Sequence, residues 1–534
     1  MTKAICLIIP PSVFLLDERV FMTLGILRVA AVLEQAGHAV EMLDLSGVEN
    51  YAEAVRDHVQ ISEACVFGLT ATTPQLPAAT TICDAIRSVR PGAKIILGGP
   101  HITLVSAARK KEMKGSSSGR ASRAFDVLAS YFDVLVAGDG EEAIFQAIVS
   151  DSPKLVDADD PHSQLFLSNA RLSALPLPAR HLVDVNSYHY RIEGVRAISL
   201  IAQLGCPFGC GFCGGRLSPM LRRVRMRSVE GIINEIVHLN RTYGVSGFMF
   251  YDDELNVNPS MTELMQQIAM TAKNLNADFR LRGFIKAELF TDEQAEAMYQ
   301  AGFRWILTGF ESGSPRILRN INKRATVEEN TRCVEIARRH NLKVKALMSI
   351  GHPGESRETV METYQWLLKV RPEDFDAAII TTYPGSPYHD DSTPHPEREG
   401  VWVYTTHGDN LYSGEVDYTK VADYYKGDPE GGYKSYVFTD FLTPDELVEL
   451  RDFMESNVRR ILEIPYNPSV AAKRYEHSMG QFGGKLPAEI LKKSTGVLQP
   501  KPQVNSLDWI ELRKIGNIPA SPKVVDSREF PTVD

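Results

Sequence analysis

No apolar run in the 534 residues approaches the ~20 needed to cross a bilayer, so no membrane span is expected. Basic residues are in deficit: 58 Lys and Arg face 67 Asp and Glu, for a net charge of −9. That balance argues against a general nucleic-acid binder, and no nucleic-acid partner is expected. The opening run Met1 to Pro11 is too short, and too soon broken by Pro10 and Pro11, to serve as a secretory signal. It reads as a buried strand. Without a signal, the seven cysteines are expected to be reduced thiols in a cytoplasmic protein. The first 150 residues hold neither GxGxxG nor GxxxxGK[ST], which weighs against dinucleotides and ATP. A second CxxC or an HxxxH is missing, and with it the four-ligand closure of a structural zinc site.

What the chain does have is a tight cluster of three cysteines. Gly205-Cys206-Pro207-Phe208-Gly209-Cys210-Gly211-Phe212-Cys213-Gly214 spells CxxxCxxC. The odd number and the close spacing disfavour disulfides. Thiolates are soft ligands and suit zinc or iron–sulfur centres. With zinc closure missing, the run points to a 4Fe-4S cluster, which has one more iron than the motif has thiolates. The open iron can bind a small molecule and pass it an electron. The other four cysteines, Cys6, Cys65, Cys83 and Cys333, stand in apolar or helical contexts and are expected to be small core residues.

At ~100–200 residues per domain, the length suggests three or four domains. Residues 1–150 alternate strand and helix signals, which predicts an α/β doubly wound, Rossmann-like parallel sheet. Strands are expected at Ile5–Ile9, Val40–Leu43, Cys65–Leu69, Lys94–Leu97 and Val134–Val136, and helices at Leu24–Ala36 and Ala79–Val89. Glycine-rich or polar turns follow the strands, where ligands bind in such folds. They are Thr70-Ala71-Thr72-Thr73-Pro74, Gly98-Gly99-Pro100-His101 and Gly138-Asp139-Gly140-Glu141. Ser106 to Arg123, with its Gly115–Gly119 serine run, reads as a flexible exposed loop. Residues 151–190 read as a proline-rich linker.

From Ile198 six strand-like runs alternate with helices: Ile198–Gln203, Gly247–Tyr251, Phe279–Phe284, Trp305–Gly309, Lys343–Ile350 and Ala377–Thr382. Ser228, Thr291 and a Thr326–Glu329 capping box start the helices. A partial (β/α)6 barrel over residues 191–393 is predicted, with chemistry at the carboxyl ends of its strands. The cysteine loop, Asp252-Asp253, Gly309-Phe310-Glu311-Ser312, Gly351–Glu355 and Tyr383–Pro387 all fall there. Lys286, Glu288, Arg282 and the group Arg222, Arg223, Arg225 and Arg227 stay open between contact with a carboxylate or cofactor and solvated surface, where most exposed arginines lie. Residues 394–534 read as a mostly helical region shaping a substrate cavity, with a helix opened by Thr443-Pro444 and a last ~15 residues disordered or wrapped on the surface.

The CxxxCxxC loop, with Phe212 before its last cysteine and a barrel strand before its first, resembles the radical S-adenosylmethionine (SAM) enzymes. The turns of residues 1–150 resemble the cobalamin-binding domain that precedes many of those barrels. The resemblance implies that Cys206, Cys210 and Cys213 ligate the cluster. It implies that Phe212, Gly309, Glu311, Ser312 and one of Asp252 and Asp253 lie against SAM. Leu69, Thr70, Thr72, Gly98, Gly99, His101, Gly138, Gly140 and Glu141 would line the corrin or hold its nucleotide tail. The DxHxxG of another kind of cobalamin domain is absent, so His101 is expected in the tail pocket and not beneath cobalt. His352 replaces a residue often apolar in the family, and stands either near substrate or in packing.

The family further implies a small-molecule substrate and an external flavodoxin- or ferredoxin-type electron donor. It implies methylation of an unactivated carbon through a 5′-deoxyadenosyl radical and methylcobalamin. Oxidative ring closure or rearrangement without methyl transfer is the alternative. A methylthiotransferase would need three more cluster cysteines in loops, whereas Cys6, Cys65 and Cys83 lie in strand and helix patterns.

Overall fold

The computed structural model describes residues 3–12, 15, 18–115, 119–427 and 433–464. The tail expected to be disordered lies outside them.

Ala4–Ile9 (β1), Ala39–Asp44 (β2), Val66–Thr70 (β3), Lys94–Gly98 (β4), Val134–Gly138 (β5) and Leu155–Ala158 (β6) form one parallel sheet, ordered β2-β1-β3-β4-β5-β6. The central strands are apolar on both faces because helices cover both. Leu24–Gln35 (α1) packs on one side; Tyr51–Ile61 (α2), Leu76–Val89 (α3), Pro100–Lys114 (α4) and Arg120–Tyr131 (α5) pack on the other. Gly140–Ala147 (α6) joins α1.

β6 lies inside the stretch read as a linker; its four residues, Leu-Val-Asp-Ala, are too few for a periodic signal. Ser106–Arg123 is mostly helix, not an exposed loop. The Glu112 carboxylate of α4 accepts from the N–H groups of Gly119, Ala121 and Ser122 at 3.1, 2.9 and 2.8 Å, and so caps α5.

Arg191–Ile192 (β7), Val195–Leu200 (β8), Gln203–Leu204 (β9), Arg225–Met226 (β10), Gly247–Phe250 (β11), Arg280–Phe284 (β12), Phe303–Glu311 (β13), Lys343–Ile350 (β14) and Asp374–Ile379 (β15) follow. A curled sheet runs β15-β14-β13-β12-β11-β8-β7, with six parallel strands and β7 antiparallel at its edge. Ser228, Thr291 and Thr326 cap their helices as expected.

The C-terminal region departs from the helical expectation. Pro444–Leu462 is a helix, but Thr393–Pro394 (β16), Val401–Thr406 (β17), Asp409–Gly414 (β18) and Val437–Thr439 (β19) form an antiparallel sheet before it. The Val-Trp-Val-Tyr-Thr-Thr run suits a strand. The His407-Gly408 turn, with φ of 50° and 84°, closes a two-residue hairpin. Among the described residues, no helix is long and apolar enough to cross a membrane.

Candidate active site

The cysteine loop leaves β9 and returns at β10. These short strands pair Gln203 with Met226 and Leu204 with Arg225, pinching the loop at its base. Gly205 there has φ +88°, and a Cβ on it would sit 2.2 Å from the Arg223 carbonyl oxygen, so only glycine fits. Inside the loop the Arg216 guanidinium donates to the carbonyls of Cys206 (3.3 Å), Phe208 and Gly214 (3.4 Å). Outside it, Gly211 N–H donates to Ile321 C=O (2.8 Å), Tyr388 N–H to Gly211 C=O (3.1 Å), and Gly215 N–H to Gly385 C=O (2.9 Å).

The three thiols belong to one braced loop, where Cys206 and Cys210 lie near enough to act on Cys213 through their charge. Burial pushes the Cys213 thiol up to about 12 and raises that of Cys206. A metal centre replaces those protons.

Asp252 and Asp253 part company. Asp252 is buried and accepts from Ala202 N–H (3.0 Å) and Gln203 N–H (2.5 Å), tying the end of β8 to the end of β11. Asp253 is exposed and accepts one bond, from Gly205 N–H at 3.1 Å. Glu254, which the sequence reading passed over, is pushed up to about 7 by burial, opposed by the nearby charges of Lys323 and Lys286. Lys286 is buried, pairs with Glu288 at 2.8 Å, and lies 4.5 Å over the ring of Phe208.

Glu311 sits at a bulge in β13 with φ +66°. Its carboxylate pairs with Lys323 Nζ (3.2 Å) and accepts from Ser349 Oγ (2.7 Å). Ser349 Oγ meets His352 Nε2 at 2.8 Å, and His352 Nδ1 meets Tyr388 OH at 3.2 Å. Burial, with Lys323 nearby, holds His352 down to about 3, so its imidazole is neutral. Its ring packs edge-on against Phe212, 5.4 Å away, which places His352 behind the cysteine loop. Gly309 leaves room for the Glu311 carboxylate, which would lie 2.4 Å from a Cβ there. Ser312 is turned away: its buried hydroxyl bonds Thr363 Oγ1 (3.0 Å) and accepts from Ser314 N–H (3.0 Å), bracing the turn after β13.

Between the carboxyl ends of the two parallel sheets lies a cleft of 560 Å³. Ile9, Ser46, Thr70, Thr72 and Pro100 line it from the first sheet, and Ile201, Tyr251 and Tyr383 from the second. Leu69 is buried in the core behind it, and Gly99, with φ +97°, lets the chain pass 2.5 Å from Thr70 Oγ1 as measured from an added Cβ. Gly98 is half-buried on β4 beside Leu69 and Val136.

The other turns do not line this cleft. His101 is buried, bonded to Thr73 Oγ1 at 2.9 Å, and borders a separate 200 Å³ hollow with Arg120 and His389. Gly138, with φ +90°, abuts Ala158–Asp159, and Gly140 abuts Val29. Glu141 is buried near Arg28 and borders a third hollow, beside Phe145 and Arg171. In place of these turns, the segment from Glu18 to Gly25 closes the cleft, with Tyr424 and Tyr425. No periodicity marks that segment. The run of tyrosines was the available signal for the aromatic wall.

Two of the four arginines are structural, while Arg223 is exposed. Arg225 is buried against Asp139 at 2.5 Å, and Arg227 pairs with buried Glu235 at 2.6 Å. Cys65 is exposed, against expectation, because it stands one residue before β3.

The pattern of the Radical SAM superfamily matches residues 200–367, and that of the B12 binding domain matches residues 18–129. A protein of Pyrococcus horikoshii named as an uncharacterized methyltransferase is 26% identical over 388 residues, covering 72% of this chain and 81% of its own. An anaerobic magnesium-protoporphyrin IX monomethyl ester cyclase of Cereibacter sphaeroides is 24% identical over 366 residues, 65% of this chain and 55% of its own. The chain thus spans about half of that relative. Among solved structures, the radical SAM methyltransferase TsrM of Kitasatospora setae, with cobalamin and a [4Fe-4S] cluster bound, superposes with a TM-score of 0.57 at 16% identity, covering 86% of this chain and 95% of its own. That likeness is one of fold.

Proposed function

We propose, for a chain that belongs to the cobalamin-dependent radical SAM enzymes, transfer of a methyl group to an unactivated carbon of a small molecule. The observation that carries this reading is a shared wall. Tyr383 and Leu104 both line the cleft between the two sheets, and both lie against Gly214, the residue after Cys213, within 3.0 and 3.3 Å of an added Cβ. The cleft of the B12-binding part therefore opens on the cysteine loop.

The enzyme's cofactors are a 4Fe-4S cluster, SAM and cobalamin. When bound, they supply a one-electron reductant, a radical source and a methyl carrier. Cys206, Cys210 and Cys213 would hold the cluster. Asp253, Glu254 and the Glu311–Lys323 pair offer charged groups to the polar end of SAM, and Phe212 backs the loop against His352. Asp252 and Ser312 brace the strand ends that carry them. Thr70 and Thr72, with Tyr251 and Tyr383, would border cobalamin, while His101, Gly138, Gly140 and Glu141 support the sheet from other sides. Tyr383, Tyr424 and Tyr425 narrow the cleft and exclude water, so that a substrate held there reacts as a positioned neighbour.

In this reading residues 1–150, extended by β6, form the cobalamin-binding domain. Residues after β6 up to 190 link it to the barrel of 191–393, and the described residues after 393 close the cavity. The electron comes from an external flavodoxin- or ferredoxin-type donor, the partner is a small molecule and not nucleic acid, and the setting is cytoplasmic.

The cyclase relative supports a second reading, oxidative ring closure without methyl transfer. Reconstituted enzyme supplied with deuterated-methyl SAM separates the two. Label in the product together with 5′-deoxyadenosine supports methyl transfer, whereas 5′-deoxyadenosine with an unlabelled, cyclised product supports the cyclase. Protein that takes up iron but never cobalamin refutes both.

A further inference from the structure

A second cluster of ligating side chains sits on the α2-covered face of the first sheet. Cys6 of β1 and Glu41 of β2 are register partners, so their side chains leave the sheet side by side on the same face. His58, in the last turn of α2, comes down on both: its Nε2 lies 3.6 Å from Cys6 Sγ and 2.9 Å from Glu41 Oε2. All three ligand atoms lie within 4.8 Å of one another, and Ser62 Oγ lies 2.6 Å from the same Glu41 oxygen.

Hydrogen bonding accounts for part of this arrangement. With a proton on Nε2, His58 and Ser62 Oγ both donate to the same Glu41 oxygen, and Ala64 N–H donates to Ser62 Oγ. The Cys6 sulfur is left with a weak contact to that N–H at 3.6 Å. A cation at the point where sulfur, nitrogen and oxygen converge would engage all three ligand atoms at once.

We propose that Cys6, Glu41 and His58 form a structural site for a soft divalent ion, zinc by preference, with Ser62 Oγ or a water as fourth ligand. A thiolate, an imidazole and a carboxylate suit zinc and not magnesium or calcium. Tetrahedral zinc at its usual bond lengths spaces its ligands ~3.3–3.8 Å apart. The sulfur–nitrogen separation already matches, and the nitrogen–oxygen separation needs a small opening. Binding releases the thiol proton of Cys6 to solvent and involves no electron transfer. The ion would tie an inner strand, the edge strand β2 and helix α2 at one point, securing an edge whose strand is only partly buried.

The test is metal analysis on enzyme reconstituted with its iron–sulfur cluster and cobalamin, equilibrated with zinc sulfate and passed through a weak chelating resin. The expected result is about one tightly held zinc per chain. His58→Ala and Cys6→Ala should each lose it while iron and cobalamin contents stay unchanged, and X-ray absorption at the zinc edge should show one sulfur among nitrogen and oxygen ligands. Because His58 is partly exposed, its variant tests the site even if Cys6→Ala folds poorly. The proposal is overturned if zinc is not retained, if it persists in His58→Ala, or if the spectrum shows three sulfurs, which would place the zinc in the cysteine loop.

Discussion

Asp252 and Asp253 are neighbours with opposite duties, and replacing each in turn should separate a stability effect from a binding effect. Asp252→Ala strips the acceptor from Ala202 N–H and Gln203 N–H, both buried at the end of β8. A buried donor left unpaired costs about 1–3 kcal/mol, so two cost about 2–6 kcal/mol. At about 2–4 °C per kcal/mol for a unit of this size, the thermal midpoint of the barrel should fall by roughly 4–24 °C. Asp252→Asn keeps one acceptor oxygen in place and should recover most of that loss. Asp253→Ala removes one exposed acceptor and should move the midpoint by no more than about 0.5 kcal/mol equivalent. Its effect should appear in SAM affinity instead. A hydrogen bond to a charged group contributes about 1.5–3 kcal/mol, or about 10- to 150-fold in Kd. Differential scanning fluorimetry and equilibrium dialysis with SAM, on protein loaded with its cluster, read the two effects. The reasoning fails if Asp252→Asn keeps its midpoint yet loses SAM tenfold while Asp253→Ala binds normally.

Gly211→Ala places a Cβ 2.4 Å from Tyr388 Cε1, inside the braced face of the cysteine loop. Overpacking of about 1–3 kcal/mol should lower iron content and the thermal midpoint, and a variant that still loads four irons at native stability would refute the close approach. His101 is buried and held down to about 3, below the ~6.5 of a free imidazole. The unfolded chain therefore takes up the proton first on acidification: the histidine's contribution is complete above about pH 6.5 and falls toward pH 3, at up to about 1.4 kcal/mol per pH unit. His101→Gln should flatten the acid loss of urea stability between pH 6.5 and 4.5 by about 2 kcal/mol, and an unchanged slope would count against burial as the cause.

The strands and helices of both sheets were legible because their apolar runs are continuous or helically spaced and their ends carry caps and glycines. The reading placed Leu24, Lys94, Gly247, Lys343 and the Thr326 cap where the structure has them. It failed where structure depends on distant partners. β6 is a strand because β5 offers it an edge, not because Leu-Val-Asp-Ala insists on one. The helices around Glu112 form because a side chain seven residues before Gly119 caps the second of them. At the site, CxxxCxxC and Glu311 announced themselves through spacing and context. Arg216, Lys323 and Glu254 did not, since a lone charge looks the same whether it braces a loop or faces water. The glycine turns of the first sheet were correctly placed at strand ends, but which of them meets the second sheet depends on docking that no local pattern encodes.

The brace that Arg216 gives the cysteine loop bears on repair. Fixing a residue's backbone costs about 1–2 kcal/mol, and a loop shaped only by its cluster would lose that order whenever the cluster was destroyed. Here the carbonyls of Cys206, Phe208 and Gly214 share one guanidinium, and the loop's outer peptide groups are already bonded to Ile321, Gly385 and Tyr388 of neighbouring turns and helices. A chain stripped of iron by oxygen would keep its three thiols presented on a standing frame, so that damage to the cofactor need not become damage to the fold, and the same polypeptide could be reloaded.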